Sequence, residues 1–369
     1  MKFSIEKSVI AKAIAHASRI VEKRSTIPIL ANVVLRADGA ELSLRTTDLD
    51  LEASLTIPAD VDVAGATTVP ATLLSDIVRK LAGDTVSFVM EAGGDSIMVG
   101  AGRSKFKLQC LPEHDMPDLN VGAFSHDFTM PAAHLKKLIG RTQFAISTEE
   151  TRYYLNGIFM HAADELGRPV LRAVATDGHR LARVDVEQPH GASGMPGIII
   201  PRKTVGEFDK ILEAGDVTVE VSDTKIRLTA GTTVITSKLI DGTFPQYEKV
   251  IPTTNNKVAI ADATAIKAST DRVATVSSER GKAVKMTFSA GNLHLFVSNP
   301  DMGNAEDDVE IDYDADDLDI GFNARYINDI LNNIDSKRAR IILGDAGSPA
   351  IIRDEEGDDT LFILMPMRV

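Results

Sequence analysis

Thr176-Asp177-Gly178-His179-Arg180-Leu181 lies near the middle of a 369-residue chain and follows an apolar run, Val170-Leu171-Arg172-Ala173-Val174-Ala175. A strand ending there turns tightly at Asp177-Gly178 and resumes as Arg180-Leu181-Ala182-Arg183-Val184, because Asp-Gly favours a two-residue reversal. The stretch is therefore expected to be a hairpin corner, with the C-terminal Met365-Pro366-Met367-Arg368-Val369 as its structural partner. Asp177 beside His179 also invites an enzymatic reading, since a carboxylate and an imidazole make half a catalytic dyad. No Gly-x-Ser-x-Gly elbow supplies a nucleophile and no second His stands at metal-ligand spacing. A turn whose side chains shape a surface is the stronger reading.

Composition narrows the class. The chain is 44% hydrophobic and 25% charged, as globular proteins are, and its length suggests about two to three domains. No long apolar stretch and no basic-then-apolar N-terminus occurs, so neither a membrane span nor a signal peptide is expected and the location is expected to be cytoplasmic. The single cysteine, Cys110, has no intrachain partner and is expected to be a small core residue in a reducing compartment. Trp is absent and aromatics are scarce, which favours several small aliphatic cores. A net charge of −13 argues on its face against nucleic acid, although placement matters more than the total.

Working outward from the corner, the chain repeats itself. Three stretches open with an extended apolar start and continue with a helical period: Phe3-Ser4-Ile5 into 6–24, Phe128-Thr129-Met130 into 132–141, and Val258-Ala259-Ile260 into 263–273. In the first, Val9, Ile10, Ala13, Ile14, Ala17, Ile20 and Val21 form one apolar stripe. A second set follows: Thr68-Val69-Pro70 into 72–81, Ile199-Ile200-Pro201 into 202–213, and Ile320-Gly321-Phe322 into 324–338. Pro70 and Pro201 fit a first helical turn, where a missing N–H costs nothing. A third set closes each unit with a strand, at 106–111, 234–239 and 361–365. The offsets, 125 residues from Phe3 to Phe128 and 130 from there to Val258, are domain-sized. Three α+β domains of one fold with antiparallel hairpins are expected, at 1–122, 127–252 and 256–369. The Gly-rich runs at 93–102 and 191–197 lack the Gly-Lys-Ser/Thr ending of a phosphate loop. The acidic run 301–319 holds ten Asp or Glu and no Lys or Arg. Its Asp312-x-Asp314-x-Asp316 is no calcium loop, because Asp317 stands where a glycine is required and Asn323 where a Glu must close it. No metal and no cofactor is expected. Val309, Ile311 and Tyr313 instead alternate with acids, as on a strand with one wet face.

Met1-Lys2-Phe3, Thr67-Thr68-Val69-Pro70-Ala71, Arg152-Tyr153-Tyr154-Leu155-Asn156-Gly157, Ala175 to Leu181, Ser237-Lys238-Leu239 and Met365-Pro366-Met367-Arg368 occur in this order over the whole length. On them the chain resembles the bacterial DNA polymerase III beta subunit family of sliding clamps. The resemblance implies a head-to-tail homodimer of three-domain protomers closed into a ring, with helices inside and antiparallel sheets outside. It implies sequence-independent contact with double-stranded DNA and no catalytic residues. It also implies a groove for short peptide motifs of the DNA polymerase III alpha subunit, the clamp loader delta subunit, other polymerases and repair proteins.

Charge placement supports that picture independently. The six proposed helical spans hold 18 basic and 9 acidic residues, +9 within a chain of −13, leaving −22 elsewhere. A positive channel and an acidic rim suit phosphate contact without base readout. The DNA-facing candidates are Arg24, Arg152, Tyr153, Tyr154, Arg202 and Lys203. The two tyrosines suit stacking on a base, yet neighbours on an extended segment point opposite ways, so Tyr154 serves equally as core.

The resemblance further implies that a basic edge meets an acidic part of the partner's third domain. Arg103, Lys105 and Lys107 would supply charge and Phe106 and Leu108 apolar anchors, with Thr275 and Val276 opposite and Asp301 and Asp307 as counter-charges. Gly303 and Asn304 stand where the family often carries acids. The groove walls carried over from the family are Leu155, Thr176, Gly178, His179, Arg180, Leu181, Pro245 and Val250, with Ile363, Met365, Pro366, Met367 and Arg368 from the C-terminal end. Met and Leu can repack around differing ligands. Two other functions stand beside the clamp: a hydrolase-like enzyme using Asp177 and His179, and a protein scaffold without nucleic acid, which the basic spans disfavour.

Overall fold

The computed structural model describes residues 1–22, 26–120, 122–277 and 283–368. Six α-helices occur among the described residues: α1 Lys7–Ile20, α2 Ala71–Lys80, α3 Ala132–Gly140, α4 Arg202–Ile211, α5 Ala263–Val273 and α6 Ala324–Leu331. Each follows directly on a strand, namely Lys2–Glu6, Gly65–Pro70, His126–Pro131, Ile198–Pro201, Lys257–Asp262 and Leu318–Asn323 in turn. The expected strand-then-helix repeat is thus present six times. Pro70 is the N-cap of α2, while Asp262 and Asn323 cap α5 and α6 by accepting first-turn N–H groups at 2.9 Å.

Two helical spans are shorter than their periodicity suggests. The first, expected over 6–24, ends at Ile20. The last, expected over 324–338, stops at Leu331, because Asn332 and Asn333 favour caps over helix interior and Arg338–Leu343 is drawn into a strand against Lys257–Asp262. The charge segregation survives this correction: the helices as folded hold 13 basic and 5 acidic residues, a balance of +8.

The chain forms two compact units, Met1–Ala133 with Gly206–Leu239, and His134–Val205 with Ile240–Val369. In the first unit, five strands run in the order Asp60–Val63, Lys2–Glu6, Thr85–Met90, Ser96–Ala101, Ser104–Gln109. An eight-stranded sheet begins with His126–Pro131 and the meander Asp216–Val221, Lys225–Ala230, Thr233–Lys238. It continues through Leu51–Pro58, Glu41–Thr47 and Asn32–Asp38 to Gly65–Pro70. Alternation places Phe3 and Ile5 inside and Lys2 and Glu6 outside, and Phe3 stacks on Phe88 at 4.5 Å between centroids. Ile10, Ile14 and Ala17 of α1 and Leu74 and Val78 of α2 bury their side chains in the same core, each large one stabilising it by about 1.5–3 kcal/mol. Cys110 is half-buried against this core rather than within it, and burial pushes its thiol pKa up.

The second unit pairs an eight-stranded sheet with a four-stranded one. The eight run Ile198–Pro201, Gly157–Glu165, Arg168–Thr176, Arg180–Glu187, Thr360–Leu364, Ala350–Asp354, Arg338–Leu343, Lys257–Asp262. The four run Gly303–Glu310, Asn292–Asn299, Ala283–Ser289, Leu318–Asn323. The corner sequence sits where two of these strands meet, and its C-terminal partner is Thr360–Leu364 rather than the expected Met365–Val369: Leu181 opposes Ile363 and Ala182 opposes Phe362. Val309, Ile311 and Tyr313 are buried as the alternation predicts, although the strand ends at Glu310. Asp312 is engaged by Arg338 and bridges Ile260 through the backbone.

One buried titratable group in the first unit generates a pH prediction. His16 of α1 is 8% exposed, with Nδ1 2.7 Å from Arg19 Nη2, while Arg19 also pairs with Glu207 at 3.3 Å. Burial first, then the charge of Arg19, lowers its pKa to about 4, with Glu207 opposing and Lys210 adding slightly. The unfolded chain takes up this proton near pH 6.5 and the folded chain only near pH 4. Stability is therefore present in full above pH 6.5 and falls as pH drops towards 4, by about 3 kcal/mol. Replacing His16 by Gln is expected to remove most of that loss, measured as the difference in denaturant midpoint between pH 7 and pH 4.5. An unaltered difference would place the proton uptake elsewhere.

Candidate functional site

The corner is built from its own side chains. Thr176 Oγ1 accepts the Gly178 N–H at 3.1 Å and donates to the Arg180 carbonyl at 2.7 Å. Asp177 Oδ1 accepts from the His179 and Arg180 N–H groups at 2.9 and 3.1 Å, and Oδ2 accepts from Arg180 Nε at 3.1 Å. A Thr-Asp pair closes such turns because short polar side chains reach backbone donors two and three residues on. Gly178 takes φ 89°, which a Cβ resists. With its oxygens committed to this turn, Asp177 is a structural carboxylate, and the dyad with His179 has no geometric support. His179 is exposed and stacks on Tyr326 with centroids 6.0 Å apart.

Arg180 departs from its expected place in the groove wall. Its side chain is 7% exposed, bonded to Asp177, to Asp329 of α6 at 2.5 Å and to the Phe144 carbonyl at 2.7 Å. The guanidinium lies 4.5 Å from the Tyr326 ring centroid and 5.1 Å from that of Phe144. It anchors the corner to α6. A cavity of about 410 Å³ opens beside it, lined among others by Glu149, His179, Arg202, Arg325 and Tyr326.

Behind the corner lies an apolar cluster of Leu155, Val174, Leu181, Ile199, Phe244, Tyr247, Ile351, Leu361 and Ile363, with Tyr154 and Ile251 packed against it. A polar network supports it. Arg172 and Asp185, paired across adjacent strands, make two bonds of 2.7 Å, and Arg172 Nη1 donates to Tyr247 Oη at 3.3 Å. That phenol oxygen is 3.1 Å from His161 Nε2, whose other ring nitrogen meets the Ala162 carbonyl at 2.9 Å. Burial opposes the Arg172 charge, but Asp185 prevails and raises the guanidinium pKa above its usual value. Burial lowers the His161 pKa, so the imidazole is neutral and accepts from Tyr247.

Of the expected groove residues, Leu155, Leu181 and Ile363 are floor, buried in this cluster, while Thr176 is half-buried and Gly178, Pro245 and Val250 are exposed. Met365 joins the corner through its N–H to the His179 carbonyl at 2.9 Å. Pro366, Met367 and Arg368 then leave it: the Met367 N–H reaches Gly321 at 2.8 Å, and all three line a second cavity of about 670 Å³ with Ile320, Gly321 and Gly347.

The nucleic-acid candidates divide similarly. Arg24 lies outside the described residues. Tyr153 is 54% exposed, whereas Tyr154 packs on the apolar cluster, which decides its even alternative towards core. Arg152 pairs with Glu149 at 3.1 Å, and its Nη1 stands 2.9 Å from where a Cβ of Gly178 would be, so it borders the corner. Arg202 and Lys203 open α4 and are exposed. Sequence reasoning missed Phe244, Tyr247 and Ile251 as parts of the apolar cluster behind the corner and Tyr326 as the ring under His179. The aromatic run around Pro245 was a usable signal, whereas Tyr326 had none.

Two sheet edges, with the short helical turn Ala274–Val276 and the turn at Asp301, hold the remaining candidates. Ser104–Gln109 is the outermost strand of the five-stranded sheet, with Arg103 and Lys105 exposed, Phe106 38% exposed, and Lys107 paired with Glu91 at 2.6 Å. Leu108 corrects an expectation: it is 5% exposed and belongs to its own unit's core, so it is no outward anchor. Gly303–Glu310 is the outermost strand of the four-stranded sheet. Asp307 there is held below the ordinary carboxylate range by the hydrogen bond from Arg272, Asp301 and Thr275 are exposed, and Val276 is half-buried.

Among the described residues no helix is long and apolar enough to cross a membrane. The chain matches the N-terminal domain of the DNA polymerase III beta subunit over residues 1–120, its central domain over 129–246 and its C-terminal domain over 248–368. It is 43% identical to the beta sliding clamp of Caulobacter vibrioides and 36% identical to that of Escherichia coli K12, covering the whole of both chains in each case. The crystal structure of a sliding clamp, DNA polymerase III subunit beta, from Bartonella birtlesii superposes with a TM-score of 0.96 at 46% identity over all of each chain. With three clamp domains in order along its full length, the chain belongs to the DNA polymerase III beta subunit family, the bacterial beta sliding clamps.

Proposed function

We propose that this protein is the processivity factor of a replicative DNA polymerase. Two chains, each supplying domains 1–122, 127–252 and 256–369, close head to tail into a ring that encircles duplex DNA and slides on it without reading sequence. It works in the cytoplasm, holds no cofactor and does no chemistry. The observation that carries the ring is the pair of open strand edges of opposite charge. Ser104–Gln109 is flanked by Arg103 and carries Lys105 and Lys107, while Gly303–Glu310 carries Glu306, Asp307, Asp308 and Glu310. An unpaired edge is an association hazard unless it is used, and pairing unlike edges is a heterologous contact that makes a ring when it closes. Phe106 supplies the apolar anchor and the charges set register and rate; Thr275, Val276, Asp301 and Asp307 border the acidic side.

Helices carrying +8 within a chain of −13 suit a channel for phosphates, with Arg24, Arg152, Tyr153, Arg202 and Lys203 as contacts. The corner at 176–181, with Met365 beside it and the apolar cluster behind, takes short peptides that present a glutamine and bulky apolar side chains. Those peptides come from the polymerase alpha subunit, the clamp loader delta subunit, other polymerases and repair proteins. Arg180 contributes by anchoring the corner, and Pro366, Met367 and Arg368 extend the site along the tail.

Replacing Phe106 by Ala together with Lys105 by Glu is expected to shift the protein from dimer to monomer in light scattering, with unchanged circular dichroism. A persistent dimer would remove this interface. On DNA, a loaded ring should stay on a closed circle in moderate salt and slide off once the circle is cut, whereas equal retention on the linear product would defeat enclosure. Deleting residues 365–369 is expected to leave a folded dimer, since a terminal segment adds little to the core, and to abolish calorimetric binding of a polymerase-tail peptide. Undiminished binding would move the site away from this corner.

A further inference from the structure

The first unit contains a second corner of the same construction. Thr47-Asp48-Leu49-Asp50-Leu51 turns between the strands Glu41–Thr47 and Leu51–Pro58. Thr47 Oγ1 accepts the Leu49 N–H at 3.0 Å, and Asp48 Oδ1 accepts those of Asp50 and Leu51 at 2.9 and 2.7 Å. These are the bonds Thr176 and Asp177 make to Gly178, His179 and Arg180. The neighbouring strand repeats as well: the Lys238 N–H donates to the Asp50 carbonyl at 2.8 Å, as that of Met365 does to His179 at 2.9 Å.

Five positions differ: Asp50 stands for His179 and Leu51 for Arg180 with the backbone bonds kept, and three others change what the corner presents. Leu49 takes φ 80° where Gly178 takes 89°, and Leu49 is 38% exposed. Glu52 stands for Leu181, its carboxylate taken by Arg45 and the Leu119 N–H. Lys238 stands for Met365, its ammonium 2.9 Å from Asp50. A left-handed leucine is strained in a way glycine is not, and strain of that kind persists where it serves a purpose.

We propose that residues 47–52 with Lys238 are a second copy of the peptide-binding corner, held closed by Leu49, Glu52 and Lys238, so that each chain takes one partner peptide rather than two. The inference rests on the groove reading of 176–181. Leu49 puts a side chain where Gly178 leaves the floor bare to an approaching backbone. Glu52 and Lys238, each paired with an opposite charge, stand where Leu181 supplies apolar floor and Met365 apolar wall, and an apolar anchor would have to strip those charges of water and partners.

The test is calorimetric titration of the full-length dimer with a polymerase-tail peptide. The unaltered protein should bind one equivalent per chain. Gly178→Leu should fold, because the sister corner holds leucine at nearly the same φ and the new Cβ meets only the flexible end of Arg152, and should weaken binding about a hundredfold. Should it not fold by circular dichroism, Gly178→Ala takes its place with a loss of about tenfold. Adding Leu49→Gly, Glu52→Leu and Lys238→Met to the closed protein should restore one equivalent per chain. A reopened variant that stays silent overturns the proposal while leaving the groove reading intact, whereas a folded closed variant that binds at full strength overturns the proposal and moves the groove away from Gly178. No binding by the unaltered protein removes the groove reading and this proposal with it.

Discussion

The antiparallel pairing of Arg180–Glu187 with Thr360–Leu364 is the constraint on which the second unit depends. A one-residue slip of Thr360–Leu364 would exchange the faces of Phe362 and Ile363, taking Ile363 from its place opposite Leu181, since side chains alternate across a strand. It would also move Met365 away from His179, and the corner would lose its neighbour. In the first unit, pairing of residues 51–55 with 233–237 plays the same part. In both, a closing strand completes a sheet begun by an earlier repeat, so compact units and sequence repeats have different boundaries.

The polar network behind the corner explains how a surface turn stays in place. Arg172 and Asp185 are both nearly inaccessible, and a buried ion pair of this kind adds little net stability over apolar residues. What it supplies is direction. Ala162 accepts from His161, His161 accepts from Tyr247, and Tyr247 accepts from Arg172, which admits one tautomer and one phenol orientation. Tyr247 is thereby fixed against the apolar cluster.

What the sequence made legible was local. The Asp-Gly reversal, the apolar stripe of α1, the strand-then-helix repeat and the alternation at 309–313 depend on near neighbours and were readable as such. The helix over 324–338 was overextended because the strand that claims Arg338 lies far away in sequence. Leu108 and Arg180 were misplaced for a related reason: alternation assigns a face, but only tertiary packing decides whether that face is covered. Tyr154 was undecidable until the cluster around Phe244 and Ile363 was in view. Family resemblance named the groove residues as one set, whereas geometry sorts them into floor, rim and anchor.

The register between 180–187 and 360–364 bears on how the chain is made. A ribosome delivers the corner strand long before its partner, and well over a hundred residues must emerge before Thr360–Leu364 can cover it. Until then the nascent second unit exposes an open edge beside Leu181 and Val184. Vectorial synthesis therefore leaves this edge unprotected for nearly half of the chain's translation, and the last strand to appear among the described residues is the one that seals it.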